Sequence, residues 1–143
     1  MTLNTLTQGF MPTLFNELFD WSNFRSDERQ RLPKMNVLEN DSAFIVQLCV
    51  PGMRKEDLTL SIDTDNHLVV EMSHTNAKDE ESANCKYLCH EFQQVEFKQH
   101  LRLPDNVKRE NISAKAENGI LTITLPKISE EEKRSLAQII AIA

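Results

Sequence analysis

Through the middle of the chain, apolar and polar positions alternate in short runs separated by turn residues. Phe44-Ile-Val-Gln-Leu-Cys-Val50 is a brief apolar run stopped by Pro51-Gly52, a strong turn dipeptide. Leu58, Leu60 and Ile62 alternate with Thr59, Ser61 and Asp63, the period of a strand buried on one face. Asp65-Asn66 makes a tight turn into the run His67–Met72. Val95, Phe97, Leu101 and Leu103 keep the same period, with Gln99 interrupting it, until Pro104. Ile112, Ala114 and Ala116 alternate, Asn118-Gly119 supplies a positive-φ turn, and Leu121, Ile123 and Leu125 alternate again before Pro126. Short strands at this spacing, with no long helical pattern between them, predict an all-β antiparallel sandwich over residues 35–127.

The two flanks read differently. Residues 1–34 form an arm rich in aromatics: Phe10, Phe15, Phe19 and Phe24 are four of the seven Phe, and Trp21 is the single Trp. Phe10, Leu14 and Leu18 are spaced by four, as are Met11, Phe15 and Phe19. A helix over Pro12–Trp21 would therefore be apolar around much of its surface. So short a helix is marginal alone and must dock on its own oligomer or on a foreign apolar surface. From Ser22 to Lys34 the chain turns polar and reads as a linker. Between Ser73 and Cys85 it is polar and strand-poor, then rises to Tyr87-Leu88 and Phe92; a loop of this length carries a function or a small element of its own. Residues 128–143 form a tail. Its Ser129–Ser135 stretch is charged and reads as a mobile, solvated hinge, and it leads to the apolar end Ile139-Ile140-Ala141-Ile142-Ala143, which nothing local can bury.

Composition narrows the function. The 143 residues suit one domain with short extensions, and 40% hydrophobic residues suffice for a core. The net charge of −6 and scattered basic residues argue against a nucleic-acid or membrane partner. The first basic residue is Arg25, so the N-terminus lacks the charged start of a secretory signal, and no apolar stretch reaches the roughly 20 residues that span a bilayer. Three cysteines, Cys49, Cys85 and Cys89, make a poor disulfide framework. A reducing cytoplasmic setting is expected.

Candidate chemistry is sparse. Cys85-x-x-x-Cys89-His90 offers three metal ligands, but at a spacing unlike zinc fingers and without a second cysteine pair. No metal is expected there, and a redox-sensitive dimer disulfide is the secondary reading. Asp63 and Asp65 flank a hairpin turn, where such residues bond the local backbone rather than act as paired acids. His67, His74, His90 and His100 have no nucleophile at motif spacing and read as surface or strand histidines. There is no Gly-rich phosphate loop, because Pro51-Gly52-Met53-Arg54-Lys55 lacks the spacing of one. The expectation is a non-enzyme without cofactors.

Several segments together resemble the small heat-shock proteins of bacterial type with an α-crystallin domain. They are Asn36–Glu39, Val50–Leu58, Leu103–Val107, the run Ala114-x-x-x-Asn118-Gly119-Ile120-Leu121 with Leu125-Pro126-Lys127, and the terminal Ile140-Ala141-Ile142. Each is weak alone, and their order and spacing make them specific. The resemblance covers residues 35–127 and the tail. It departs in the strand before Leu103-Pro104: the acidic residue is kept as Glu91, while the arginines and glycine of relatives are replaced, the positions reading Phe92, Val95 and Gln99.

The resemblance implies an immunoglobulin-like sandwich and an ATP-independent holdase. Such a chaperone binds unfolding client proteins under heat or other stress, suppresses their aggregation, and hands them to ATP-dependent chaperones downstream. It further implies dimers paired through the loop strand carrying Tyr87, Leu88, Glu91 and Phe92. Larger oligomers form when Ile140 and Ile142 enter a neighbour's groove walled by Leu58, Leu60 and Ile62 and by Ile112 and Ala114. Phe10, Leu14, Phe15, Phe19 and Trp21 are the client-contact candidates, with burial inside the oligomer as their other reading. The alternative function is a dimeric sandwich adaptor or co-chaperone for one specific partner, which needs neither the aromatic arm nor the tail motif.

Overall fold

The structure is a computed structural model describing residues 32–73, 84–92, 96–137 and 140–143. Its strands are β1 (Met35–Glu39), β2 (Ala43–Cys49), β3 (Leu58–Ile62), β4 (His67–Met72), β5 (Phe97–Arg102), β6 (Ser113–Glu117) and β7 (Ile120–Pro126), followed by one helix, α1 (Glu130–Leu136). Two single 3-10 turns, Lys55–Asp57 and Arg109–Asn111, lead into β3 and β6. The strands make two antiparallel sheets, ordered β1-β2-β7-β6 and β3-β4-β5. These sheets belong to different compact units, one of residues 34–49 and 104–143 and one containing residues 50–103.

In the four-stranded sheet the register sets apolar residues directly opposite one another: Phe44 against Leu125, Val46 against Ile123, Leu48 against Leu121. All six are buried, and each contributes roughly 1.5–3 kcal/mol relative to exposure. The β6–β7 hairpin turns on Asn118 (φ 53°) and Gly119 (φ 74°). Positive φ at both central residues gives the turn whose twist matches that of the strands it joins. At the β1–β2 turn, Asn40 Oδ1 accepts the backbone N–H groups of Ser42 (2.9 Å) and Ala43 (2.8 Å). Lys127, just past β7, lies over the Phe44 ring and donates to Glu39 Oε1 (2.7 Å) and the Asn40 carbonyl (2.8 Å). It thereby ties the end of β7 to the first hairpin.

In the three-stranded sheet, Leu68, Val70 and Met72 of β4 lie opposite Leu101, Gln99 and Phe97 of β5, and all six are buried. The Pro51-Gly52 turn carries Gly52 at φ 74°. The β3–β4 turn is organised by Asp63, whose Oδ1 accepts the backbone N–H groups of Asp65 (3.0 Å) and His67 (2.8 Å). These bonds, that of His67 foremost, hold the Asp63 carboxyl below its ordinary value. The turn-forming reading of Asp63 is therefore met, and Asn66 completes the turn at φ 65°.

Three expectations are corrected. Gln99 does not interrupt β5: it is 3% exposed on the same buried face as Phe97 and Leu101. The period was right, and a polar residue occupies a core position. The alternation of Ala114 and Ala116 does not mark a buried face either, for every residue of β6 is exposed, and the strand forms one edge of its sheet. Finally, Ser129–Ser135 is not a shapeless hinge but contains most of α1.

Among the described residues, Gln99 Oε1 has no hydrogen-bond partner. A buried unsatisfied acceptor costs about 1–3 kcal/mol. Replacing Gln99 by Leu, of similar volume, is therefore expected to raise the thermal unfolding midpoint by several degrees. A lowered midpoint would show that the amide has a partner worth more than the burial gain.

Candidate assembly surfaces

The residues expected to make contacts between chains sit at strand edges, in a loop and in the tail. Tyr87, Leu88, Glu91 and Phe92 are exposed, Leu88 to 94% and Phe92 to 88%. The described loop, 84–92, contains no strand. Among the described residues its backbone forms no ladder, and the Tyr87 ring stacks on His90 with centroids 4.3 Å apart. Two large apolar side chains at such exposure are costly unless something covers them.

Ile140 and Ile142 are likewise exposed, to 85% and 98%. The proposed acceptor residues fall on two edge strands. Leu58, Leu60 and Ile62 lie on β3, at the edge of the three-stranded sheet, where Leu58 and Leu60 are half-buried and Ile62 is exposed. Ile112 is half-buried just before β6, and Ala114 is exposed on β6, at the edge of the four-stranded sheet. Edge strands present unpaired backbone groups, which makes them natural places for another chain to add. Phe10, Leu14, Phe15, Phe19 and Trp21, with the helix expected over Pro12–Trp21, lie outside the described residues.

The tail leaves the sheet through a contact that sequence reasoning missed. Ile128 N–H donates to the Asn106 carbonyl (2.6 Å). Ser129 then caps α1: its Oγ accepts the Glu132 N–H (3.2 Å), while its own N–H donates to Glu132 Oε2 (2.9 Å). This reciprocal capping box fills two donors that a helix start leaves open. Glu130–Glu132 crowd the first turn and Lys133 and Arg134 the last, matching the helix dipole. Glu132 also pairs with Lys108, in the segment before β6, so the helix is fastened to its own unit. Beside it, Leu136 and Ile128 line a shallow groove with Asp105 and Asn106. The sequence signal for this cap is the spacing Ser129-x-x-Glu132.

Cys49, Cys85 and Cys89 are free and exposed. Cys85, Cys89 and His90 do not figure among the ligand groups that gather at one point; among the described residues that group is Asp63, Asp65 and His67, with ligand atoms within 4.8 Å of one another. No helix among the described residues is long and apolar enough to cross a membrane.

Comparison with known proteins places this geometry. Residues 36–143 match the Hsp20/alpha crystallin family, and the chain belongs to that family. It is 31% identical over 122 residues to small heat shock protein C2 of Rickettsia felis, a match covering 85% of this chain and 77% of that protein. A 17.8 kDa class I heat shock protein of Solanum lycopersicum is 30% identical over 135 residues, covering 94% of this chain and 79% of that protein. Among solved structures, heat shock protein 16.0 of Schizosaccharomyces pombe superposes with a TM-score of 0.59 at 28% identity, covering 78% of this chain and 98% of that one. A small heat-shock protein of Xylella fastidiosa gives 0.61 at 19% identity, covering 78% and 96%, and at that identity it speaks to the fold alone. The fold is that of the α-crystallin β-sandwich, and the family is one of chaperones rather than enzymes.

The depressed Glu132 carboxyl gives a pH signature. Lys108 first, then the Ser129 N–H and hydroxyl, push it from the ordinary 4.5 down to about 2. A carboxyl with a lowered folded-state pKa stabilises the docked helix above 4.5, and that contribution fades as pH falls from 4.5 through about 2. Amide signals of Glu130–Leu136 are expected to lose protection over that window at moderate salt. In Glu132→Gln they should be weakly protected already at neutral pH, and unchanged protection in that variant would contradict the fastening.

Proposed function

We propose that the chain is an ATP-independent holdase: it assembles into dimers and larger oligomers, binds unfolding proteins, and keeps them from aggregating until ATP-dependent chaperones take them on. The observation that carries this reading is the exposure of two separate apolar segments, Tyr87–Phe92 and Ile140–Ile142, in a chain of the Hsp20/alpha crystallin family. A monomer gains nothing from either.

The energetics suit reversible assembly. The loop residues Tyr87, Leu88, Glu91 and Phe92 would add to a partner's sheet edge through backbone bonds that demand little of the side chains. By the resemblance, Phe92 and Gln99 stand where relatives carry arginines, so in this contact either the ion pairing is weakened or apolar packing of the exposed Phe92 compensates for it. One docked Ile contributes roughly 1.5–3 kcal/mol, too little to hold two chains alone. Many tails in one particle raise the effective concentration of each and hold the whole together. Docking of Ile140 and Ile142 against Leu58, Leu60, Ile62, Ile112 and Ala114 is thus firm collectively and exchangeable singly. Heating would release dimers and uncover Phe10, Leu14, Phe15, Phe19 and Trp21 for client contact. Three free thiols agree with a reducing cytoplasmic setting.

Light scattering of a heat-labile client without nucleotide tests the reading. Full-length protein is expected to suppress aggregation in proportion to the amount added, and removal of residues 1–24 to abolish that protection. Ile140→Ala with Ile142→Ala should shrink the particle in sedimentation. A full-length oligomer that never suppresses scattering would favour a dimeric adaptor for one partner instead.

A further inference from the structure

The loop of residues 84–92 carries two thiols as well as its apolar side chains. Cys85 and Cys89 stand four residues apart, and both are free and exposed. Lys86, Tyr87 and Leu88 lie between them, in the stretch that the proposed assembly uses as a strand. In the single chain that stretch is turned. The backbone bends at Leu88, and the Tyr87 and His90 rings stack with centroids 4.3 Å apart at 18°. Residues three apart in a strand are separated by ~10 Å and point to opposite faces. The ring stack and an extended strand therefore exclude one another.

The two cysteines face the same geometric choice. In a strand, successive rises of ~3.3 Å put their Cα atoms ~13 Å apart. A disulfide needs Cα atoms ~4.4–6.8 Å apart. A chain that has joined Cys85 to Cys89 cannot lay this stretch along a sheet edge, and a chain that has paired there cannot close the bond. Thiols so near in sequence also meet at an effective concentration on the order of millimolar, which favours a bond within one chain over a bond between separate chains.

We propose that Cys85 and Cys89 are a peroxide-sensitive pair whose disulfide, formed within one chain, holds Tyr87–Phe92 in a turned form and withdraws it from the partner. One thiol attacks the O–O bond of hydrogen peroxide, giving a sulfenic acid and a water. The second thiol then displaces the sulfenic hydroxyl as another water, so the peroxide takes both electrons and the sulfurs are joined. A dithiol reverses the step by exchange. The inference rests on the reading that this stretch pairs two chains, and it adds a chemical signal that parts them without heat.

Hydrogen peroxide added to the full-length protein tests it, read by intact mass, by peptide mapping without reductant, and by sedimentation. The expected result is a loss of about 2 Da per chain and a Cys85–Cys89 bond within one chain. Dimerisation should weaken at least about tenfold and recover in dithiothreitol. Cys49→Ser should behave like the wild type. Cys85→Ser/Cys89→Ser should keep its assembly in peroxide, which separates the disulfide from oxidation of methionine. Bonds between chains, thiols oxidised without a disulfide, or oxidised protein that pairs as tightly as reduced protein would overturn the switch. A reduced chain that never pairs overturns the switch together with the assembly reading before peroxide is added, while the peptide map still reports on the disulfide by itself.

Discussion

The buried pairing of β2 with β7 is the interaction on which the unit of residues 34–49 and 104–143 depends. Phe44, Val46 and Leu48 face Leu125, Ile123 and Leu121 across a single register. A slip of one residue would turn all six apolar side chains to the opposite face. Three devices pin that register: the Asn118-Gly119 turn, the Asn40 turn, and Lys127 bridging to Glu39 over Phe44. With the central pair fixed, β1 and β6 become the two edges, and the chain beyond Lys127 emerges at a defined place.

That defined exit gives the tail its geometry. Ile128 is bonded to Asn106, Ser129 caps α1, and Glu132 reaches Lys108. The helix is thus fastened to the unit it follows. Each of these contacts is local and partly solvated, so singly they contribute little to stability. Core and exit form one chain of consequence from the β2–β7 register outward.

Much of the fold was legible because strand period and turn chemistry agree. Leu58, Leu60 and Ile62, the His67–Met72 run, and Leu121, Ile123 and Leu125 fall in strands β3, β4 and β7, and Asn118-Gly119 takes the positive φ its residues favour. The failures have physical causes. Gln99 is buried where its polarity argued for a break, since the period-2 geometry of β5 places it inward regardless of its chemistry. Ala114 and Ala116 are too small to signal burial, and the edge position of β6 left them exposed. The helix Glu130–Leu136 was hidden by its own charge, which in fact complements its dipole. Of the candidate contacts, the exposure of Ile140 and Ile142 at an apolar terminus was readable. The approach of His67 and His100 to opposite oxygens of Asp63 was not, because it arises from pairing between β4 and β5, 33 positions apart in the chain.

The central claim is that the exposed segment Tyr87–Phe92 is an element waiting for a second chain. Hydrogen exchange of the full-length protein at assembling concentration reads this directly, amide by amide. Protection of Tyr87–Phe92 that fades on dilution to the monomer is the predicted result, since among the described residues these amides have no ladder partner. Exchange at the rate of an unstructured peptide at every concentration would contradict it.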